Sequence, residues 1–411
     1  MRRGSAFYRN QNLTTTLSKI KVLDFAHLLP GELCSTILSD MGMQVTRIEP
    51  LEPGLGKRLP PVVDGESLYY WSLHRNKKRL AIDLKKTEGV NLIHRLVKEV
   101  DVIVENFRPE VMDRLGIGYE QLSKINPRLI FLSISGYGQN SSWSQRPGHD
   151  LNFVAESGVL NQHRNPDGSP TLPGILVSDY MSALYGALAV SKHLMERETT
   201  GKGKHIDISM FECSLSTLNI LTTGLLYTGV DPVAGGFNYP AEMPNYCLYR
   251  CKDDRYLAVA SLERPFWEKF CTLIGREDLK PITVKPDDNE LRATLAAEIQ
   301  KKNLSEWTEI FDGSDCCVSP VNTLQEALTT LPTKERKLVV NATHPVLGDV
   351  PQMTTPVFNR NQNEVVARDE KSHDAREVLI GLGLKSEDVD LLERAEVIDG
   401  RREAEQASKK K

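Results

Sequence analysis

Short apolar segments alternate with helical segments through the first half of the chain. Between the apolar segments, hydrophobic residues recur at helical spacing, as at Val90, Ile93 and Val97 within residues 89–100. This alternation predicts an open, doubly wound α/β sheet of parallel strands joined by right-handed crossovers. The predicted strands are residues 20–25, 43–49, 80–84, 101–107, 129–135 and 205–209.

The second half of the chain has a different pattern. Long helical segments at 179–196 and 210–228 come first, and residues 229–245, rich in Gly and Pro, then predict a linker. Strands and helices beyond it predict a smaller α+β domain over residues 246–335. We therefore expect a flexible N-terminal arm (1–19), a large Rossmann-like domain (20–228), the linker, the small domain, and a turn-rich, then helical segment (336–411).

The composition argues against several classes of partner. The 411 residues are 40% hydrophobic and 26% charged, which is typical of a soluble globular protein. Basic and acidic residues nearly balance, at 51 and 55, and no apolar run approaches the length that crosses a bilayer. We therefore expect neither nucleic acid nor a membrane as a partner.

Cysteine and histidine usage bears on compartment and metal binding. The seven cysteines are scattered and form no CxxC pair, which predicts reduced thiols and a cytoplasmic protein. Residues 1–23 contain no acid and five basic residues, so a mitochondrial transit segment is the alternative. The nine histidines do not cluster and no zinc-ligand spacing is complete, so we predict no metal.

Nucleotide-binding fingerprints are incomplete in this chain. Gly136-Tyr137-Gly138 lacks the third glycine of a dinucleotide-binding turn, and Gly201-Lys202-Gly203-Lys204 lacks the spacing and hydroxyl of a P-loop. The sequence therefore supports neither NAD nor ATP.

His149 and Asp179 are a candidate pair of proton carriers, since each precedes a long apolar-periodic segment. Removing a proton from a carbon next to a carbonyl group requires a base and a stabilised enolate, and inversion requires a second group on the opposite face. Histidine titrates near neutral pH, and the pKa of a carboxyl in a partly apolar pocket can be raised toward it. Asp179 alone also fits a helix N-cap.

The segment from Pro147 to Gly158 resembles the active-site segment of the α-methylacyl-CoA racemases, members of the class III CoA-transferase (CaiB/BaiF) family, and the resemblance covers nearly the whole chain. It implies epimerisation of 2-methylacyl-CoA thioesters with His149 and Asp179 as the acid/base pair. Glu263 matches the glutamate that orients this histidine from the small domain. A helix N-terminal acid is the other interpretation of Glu263.

The resemblance also implies a set of residues that contact the CoA thioester. CoA would enter as part of the substrate, so no separate cofactor is expected. The implied residues are Arg47, Arg75, Lys78, Ala81, Ile82, Asp83, Leu84, Arg108, Gly148, Asp150, Leu151, Asn152 and Phe153. For each basic residue, a solvated surface charge is the alternative. Family racemases commonly carry an arginine directly before Pro50, whereas this chain has Glu49, which is more typical of the transferases.

The fold implied by the resemblance is a Rossmann-like large domain completed by residues 336–411, plus the small domain, in an interlocked homodimer. A CoA-transferase is the alternative function, with Asp179 attacking the acyl-CoA to give a mixed anhydride and then an aspartyl-CoA thioester. His149 favours the racemase, because the family's transferases generally lack a histidine there and carry a glycine-rich loop, of which Gly235-Gly236 is the nearest equivalent. A further alternative is a catalytically silent CoA-binding subunit. The presence of His149, Asp179 and Glu263 argues against it, because a binding subunit would need none of them.

Overall fold

The computed structural model describes residues 16–52, 54–63, 65–165, 168–232, 243–286, 288–344, 348–358, 365–366 and 375–399. The chain forms two compact units. The first comprises Met1–Ser157, Gly174–Thr217 and Lys337–Lys411, and the second comprises Gly158–Pro173 and Leu218–Arg336. Most of the predicted N-terminal arm (1–15) and of the linker (233–242) lies outside the described residues, while Thr16–Lys19 is a 3₁₀ helix.

A six-stranded parallel sheet forms the centre of the first unit and confirms the predicted parallel α/β architecture. Its strands are β1 (Lys21–Asp24), β2 (Gln44–Glu49), β3 (Lys78–Ala81), β4 (Val102–Glu105), β5 (Ile130–Ser135) and β6 (Lys204–Ser209). Their spatial order is β3-β2-β1-β4-β5-β6, so the winding direction reverses between β1 and β4. In such sheets, ligands bind beyond the carboxyl ends of the strands near that reversal.

Helices cover both faces of this sheet, which is why β4 and β5 are buried along their whole length. The helices are α1 (Leu29–Asp40), α2 (Leu68–His74), α3 (Thr87–Leu96), α4 (Val111–Arg114), α5 (Tyr119–Ile125), α6 (Asp150–Glu156), α7 (Val177–Thr200) and α8 (Met210–Ser216). Short additional elements are 3₁₀ helices at Leu55–Arg58 and Val97–Glu99, and a hairpin of Val62–Val63 with Glu66–Ser67.

Two predicted elements differ from the observed ones. The long helix expected over 210–228 is broken near Leu218, where the Ser216 and Thr217 hydroxyls bond to preceding carbonyl oxygens. The strand expected over 80–84 ends at Ala81, because Ile82 pairs with Ile398 instead.

The second unit contains an antiparallel sheet of β7 (Tyr246–Arg250), β8 (Tyr256–Ala260) and β9 (Val318–Pro320). Its core includes Trp267, Phe270 and Trp307. The helices are Val159–Gln162, α9 (Asn219–Thr228), α10 (Arg264–Leu273), the 3₁₀ helix Glu277–Leu279, α11 (Asn289–Ile299), α12 (Leu304–Phe311), α13 (Leu324–Thr329) and α14 (Leu331–Glu335). Residues 158–173 and 218–228 belong to this unit, whereas the sequence placed them in the large domain.

The C-terminal part of the chain returns to the first unit. It contributes the hairpin β10 (Val339–His344) and β11 (Gly348–Met353), then α15 (Ala375–Gly381) and α16 (Ser386–Arg394). Leu379, Val389 and Val397 are fully buried in the same core as α3. None of the described helices is both long and apolar enough to cross a bilayer.

Candidate active site

A cavity of about 610 Å³ lies in the first unit, beyond the carboxyl ends of β1, β4, β5 and β6. Both His149 and Asp179 line it. Its other lining residues are His27, Leu28, Pro30, Asn106, Phe107, Arg108, Pro109, Ile134, Ser135, Gly136, Ser144, Arg146, Pro147, Gly148, Asn152, Phe153 and Met210.

His149 is the N-cap residue of helix α6, and its side chain is exposed. The Asn152 side-chain oxygen accepts a hydrogen bond from the His149 backbone N–H at 3.0 Å. The Asn152 backbone N–H in turn donates to the His149 carbonyl at 2.8 Å. These two bonds fix the backbone that carries the imidazole.

Asp179 lies in the first turn of helix α7 and is half-buried. The buried Asp150 carboxylate accepts hydrogen bonds from the backbone N–H groups of Ser178, at 2.7 Å, and Asp179, at 3.2 Å. Asp150 therefore satisfies donors at the start of α7 that no helical carbonyl can reach. Since Asp150 follows His149 directly, one carboxylate connects the segments that carry the two candidate proton carriers.

Burial and charge change the acidity of these carboxyl groups. Burial, and then the nearby Asp150 carboxylate, raise the pKa of Asp179 from its ordinary value to about 7. Burial also raises the pKa of Asp150, although the N–H bonds from residues 178 and 179 oppose this. Asp179 therefore exists in both protonation states near neutral pH, as an acid/base catalyst requires.

The Phe153 ring is packed between two glycines in the cavity wall. A Cβ atom built on Gly136 or Gly148 would lie 2.7 Å from its Cε1 atom, which is closer than such atoms approach one another. The ring is 3% exposed and also contacts Tyr137 edge-on, with centroids 5.2 Å apart. Both glycines are thus required by space at the cavity rather than by backbone torsion.

An aromatic and cationic part of the wall was not anticipated from the sequence. The Arg146 guanidinium lies 4.2 Å from the centroid of the Trp143 ring and forms a 3.2 Å ion pair with Glu156. The Tyr137 hydroxyl also donates to Glu156. Arg146 directly precedes the segment from Pro147 to Gly158 that resembles the racemases, and lies outside it.

Asn106 and His27 join two loops of the cavity. The Asn106 side-chain oxygen accepts from the His27 N–H at 2.7 Å, and its amide NH₂ donates to the His27 carbonyl. The His27 and Phe107 rings meet edge-on, with centroids 5.1 Å apart. These contacts join the loop after β1 to the loop after β4.

The predicted CoA-contacting residues fall into distinct places. Arg108, Gly148, Asn152 and Phe153 line the cavity with His149 and Asp179, and Asp150 supports it from behind. Arg108 is exposed, and within the described part of the chain its guanidinium has no ion-pair partner. It is therefore available to a phosphate group.

The structure places Arg47 and Arg75 in buried ion pairs. Arg47 is 5% exposed and donates to the carboxylates of Glu32 and Glu49 at 2.7 Å each. It borders a second cavity of about 340 Å³, which shares His27 and Leu28 with the first. Arg75 is 2% exposed and donates through Nε and Nη2 to the Asp40 carboxylate.

Residues 78–84 and Leu151 are not brought to the cavity lining. Lys78 begins β3 at the opposite edge of the sheet and forms an ion pair with Glu377 at 2.7 Å. Ala81 and Ile82 are buried, and the Asp83 N–H donates to the Val397 carbonyl. Asp83 accepts from Lys85 N–H through its side chain, Leu84 packs against the core of the first unit, and Leu151 is 49% exposed.

Glu263 belongs to the second unit, where it is the exposed N-cap residue of α10. It lies near Cys317 and, after burial, contributes to the raised pKa of that thiol. Its predicted action on His149 stays a prediction. Among the described residues no group of three His, Cys, Asp or Glu side chains is arranged to hold a metal ion.

Comparisons with known proteins show which family this chain resembles. Residues 17–370 match the model of CoA-transferase family III. Human alpha-methylacyl-CoA racemase is 34% identical over 324 residues, covering 78% of this chain and 81% of that protein. The acetyl-CoA:oxalate CoA-transferase of Acetobacter aceti is 32% identical over 332 residues, covering 78% and 84%.

A solved structure shows the same fold. The crystal structure of a CaiB/BaiF family protein from Brucella suis superposes with a TM-score of 0.77 at 26% identity, covering 90% of this chain and 99% of that one. The racemase and transferase relatives stand at similar identity, so they establish a common family rather than one reaction. The family match over residues 17–370 and these relatives together show that the chain belongs to CoA-transferase family III.

Proposed function

We propose that this protein epimerises 2-methylacyl-CoA thioesters by 1,1-proton transfer at the α-carbon. In this reaction His149 and Asp179 are the acid/base pair, and an enolate is the intermediate. The observation that carries the proposal is that both side chains line one cavity at the carboxyl edge of the sheet. Asp179, whose pKa is raised to about 7, can take up or release a proton near neutral pH, as an acid/base catalyst must.

The two half-reactions follow from the chemistry of the pair. One group, in its basic form, removes the α-proton from one face and leaves an enolate. The other, in its acidic form, delivers a proton to the opposite face. Because the pKa of Asp179 is near 7, its side chain can both accept and donate a proton near neutral pH, whereas an ordinary aspartate would remain ionised.

Stabilisation of the enolate requires a hydrogen-bond donor at the thioester oxygen. Asn152 lines the cavity, and its side-chain oxygen is fixed by the His149 N–H. The opposite end of that amide is its NH₂ group, which makes no hydrogen bond to the described residues. We assign the enolate oxygen to this group.

A CoA-transferase is the second candidate. Asp179 would then attack the thioester carbonyl, and the similarity to an acetyl-CoA:oxalate CoA-transferase favours this reading. His149 has no role in that chemistry, whereas the racemase reaction requires it.

Deuterium incorporation distinguishes the two reactions. The protein is incubated in D₂O with a 2-methylacyl-CoA, with or without a free carboxylic acid as acceptor. The racemase reaction predicts deuterium at the α-carbon without any acceptor. Acyl exchange with the acid, in the absence of α-deuteration, would assign the transferase instead, and a small panel of acyl groups would identify the preferred substrate.

A further inference from the structure

Glu105, the last residue of β4, has a buried carboxyl group that the proposed reaction does not use. It is 4% exposed and lines a small cavity of about 80 Å³ together with Ser133, Tyr119, His205 and Arg108. Arg108 also lines the main cavity, so the two cavities share this side chain. A buried carboxyl group in this position is costly unless its hydrogen bonds are satisfied.

The carboxylate holds the segment that follows it. Its Oε2 atom accepts a hydrogen bond from the Phe107 backbone N–H at 2.8 Å. Residues 106–109 all line the main cavity, and Asn106 is fixed from the other side by its two bonds to His27. The hydrogen bond between Glu105 and the Phe107 N–H therefore fixes the segment 106–109, which includes Arg108, to the end of β4.

A hydrogen-bonded chain continues from Glu105 to the neighbouring strands. The Ser133 hydroxyl is hydrogen-bonded to Glu105 and lies 3.0 Å from the His205 Nε2 atom. The His205 ring is stacked on Tyr119, with ring centroids 5.0 Å apart. Rings and strands on this side leave the carboxyl group little room to move.

The charges around Glu105 disfavour its ionised form. Burial raises the pKa of Glu105 to about 7, the hydrogen bonds from Ser133 and the Phe107 N–H oppose this, and Asp113 and Asp207 raise it further. Burial lowers the pKa of the facing His205. The remaining charged groups of the small cavity are Arg108, Glu110 and Glu120.

We propose that Glu105 is a positioning residue for the CoA thioester, because its bond to Phe107 holds the Asn106–Pro109 wall, and with it Arg108, in the conformation that binds CoA. This inference rests on the proposed function for its substrate. An ionised carboxylate is a stronger acceptor for the Phe107 N–H than a neutral carboxyl group. The wall is thus held more firmly, and CoA bound more tightly, as the pH rises through about 7.

Equilibrium binding of CoA tests this without depending on catalysis. Dissociation constants for CoA are measured by calorimetry between pH 6 and 8 for the wild type, Glu105→Ala and Glu105→Gln. The matched control is Asp101→Asn, directly before the start of β4, where a carboxylate likewise accepts from a backbone N–H, that of Lys21 at 2.9 Å, and also from Arg197 Nη2 at 2.9 Å. It lines neither cavity.

Glu105→Ala should weaken CoA binding by ~10–100-fold, the equivalent of a lost hydrogen bond to a charged group. Glu105→Gln keeps an acceptor, so it should restore most of the affinity at pH 6 yet lack the wild-type gain toward pH 8. The CoA phosphates titrate equally in both proteins, so the difference between the two slopes isolates Glu105. Asp101→Asn should bind CoA like the wild type.

A folded Glu105→Ala with wild-type affinity, or a Glu105→Gln with the wild-type pH slope, overturns the proposal. If Glu105→Ala does not fold, the comparison of Glu105→Gln with the wild type decides alone. A wild type that binds CoA but catalyses neither α-exchange nor acyl transfer contradicts the proposed function while leaving this test of Glu105 intact.

Discussion

The Asp150 carboxylate accepts the backbone N–H of Asp179 at 3.2 Å, and so joins the helix that begins after His149 to the helix that carries Asp179. The same carboxylate raises the pKa of Asp179, although burial does so more strongly. Both the position and the pKa of Asp179 thus depend on Asp150, the residue that directly follows His149.

Replacing Asp150 separates these two effects. Asp150→Asn keeps an oxygen acceptor for the N–H groups but removes the negative charge, so the pKa of Asp179 should fall and the acid limb of the pH–rate profile should move to lower pH. Asp150→Ala should additionally lose ~1 kcal/mol of unfolding free energy, as expected for a lost helix cap. An unchanged profile in Asp150→Asn would show that its charge does not reach Asp179.

The raised pKa of Asp179 predicts a cost to stability at higher pH. The folded-state pKa of about 7 exceeds the ordinary value of 3.8 for an aspartate, so the folded protein binds the proton more tightly than the unfolded chain does. Stability should therefore fall as the pH rises between these values. Asp179→Asn should raise the melting temperature more at pH 8 than at pH 5; an equal change at both pH values would contradict the shift.

Two of the three arginines predicted to contact CoA, Arg47 and Arg108, should behave differently from each other. Arg47→Ala leaves Glu32 and Glu49 without their buried partner and should cost about 3–5 kcal/mol of unfolding free energy. Arg108→Ala should leave stability nearly unchanged and raise KM for the acyl-CoA by ~10–100-fold if it holds a phosphate. Urea unfolding measures the stability of the two variants, and steady-state kinetics measures their KM. A large loss of stability in Arg108→Ala, with wild-type stability in Arg47→Ala, would contradict these assignments.

Space around Phe153 should limit what the glycines can become. Gly136→Ala or Gly148→Ala would force the ring from its place, with a cost of about 1–3 kcal/mol typical of overpacking and a narrower cavity. Gly381→Ala is the control, since a Cβ atom there meets nothing within 4 Å. If Gly136→Ala and Gly148→Ala both had the stability and the KM of the wild type, the Phe153 ring would be free to move and the prediction would be wrong.

The interlocked homodimer that the family resemblance implies predicts that no stable folded monomer forms on dilution. Helix α7 supports association, because its apolar side chains Leu184, Leu188 and Met195 are 52%, 64% and 75% exposed. Sedimentation velocity across a dilution series measures this directly. A compact, active monomer is the result at odds with it.

The central strands β4 and β5 could be predicted from the sequence because they are buried along their whole length and therefore form largely apolar runs, as in residues 129–135. The long apolar-periodic segment predicted after His149 is a helix of only seven residues, α6, because periodicity fixes the bounds of so short an element poorly. The break at Leu218 was missed, since hydroxyl bonding to preceding carbonyls leaves no periodic signal.

The site was predictable only in part. His149 and Asp179 could be selected by motif, but the bond from Asp150 to the start of α7 joins residues far apart in the sequence. The same limit applies to the basic residues. The sequence alone does not distinguish Arg75 from Arg108. Only the fold shows that Arg75 pairs with Asp40 and that Arg108 lines the cavity.

The most direct test of the central claim uses single enantiomers of a 2-methylacyl-CoA with His149→Ala and Asp179→Asn, each first shown to bind CoA. If the two groups serve opposite faces of the α-carbon, both variants should lose interconversion of the enantiomers by ~10²–10⁴-fold, the usual contribution of a general acid or base. Near-normal interconversion by His149→Ala would contradict the account.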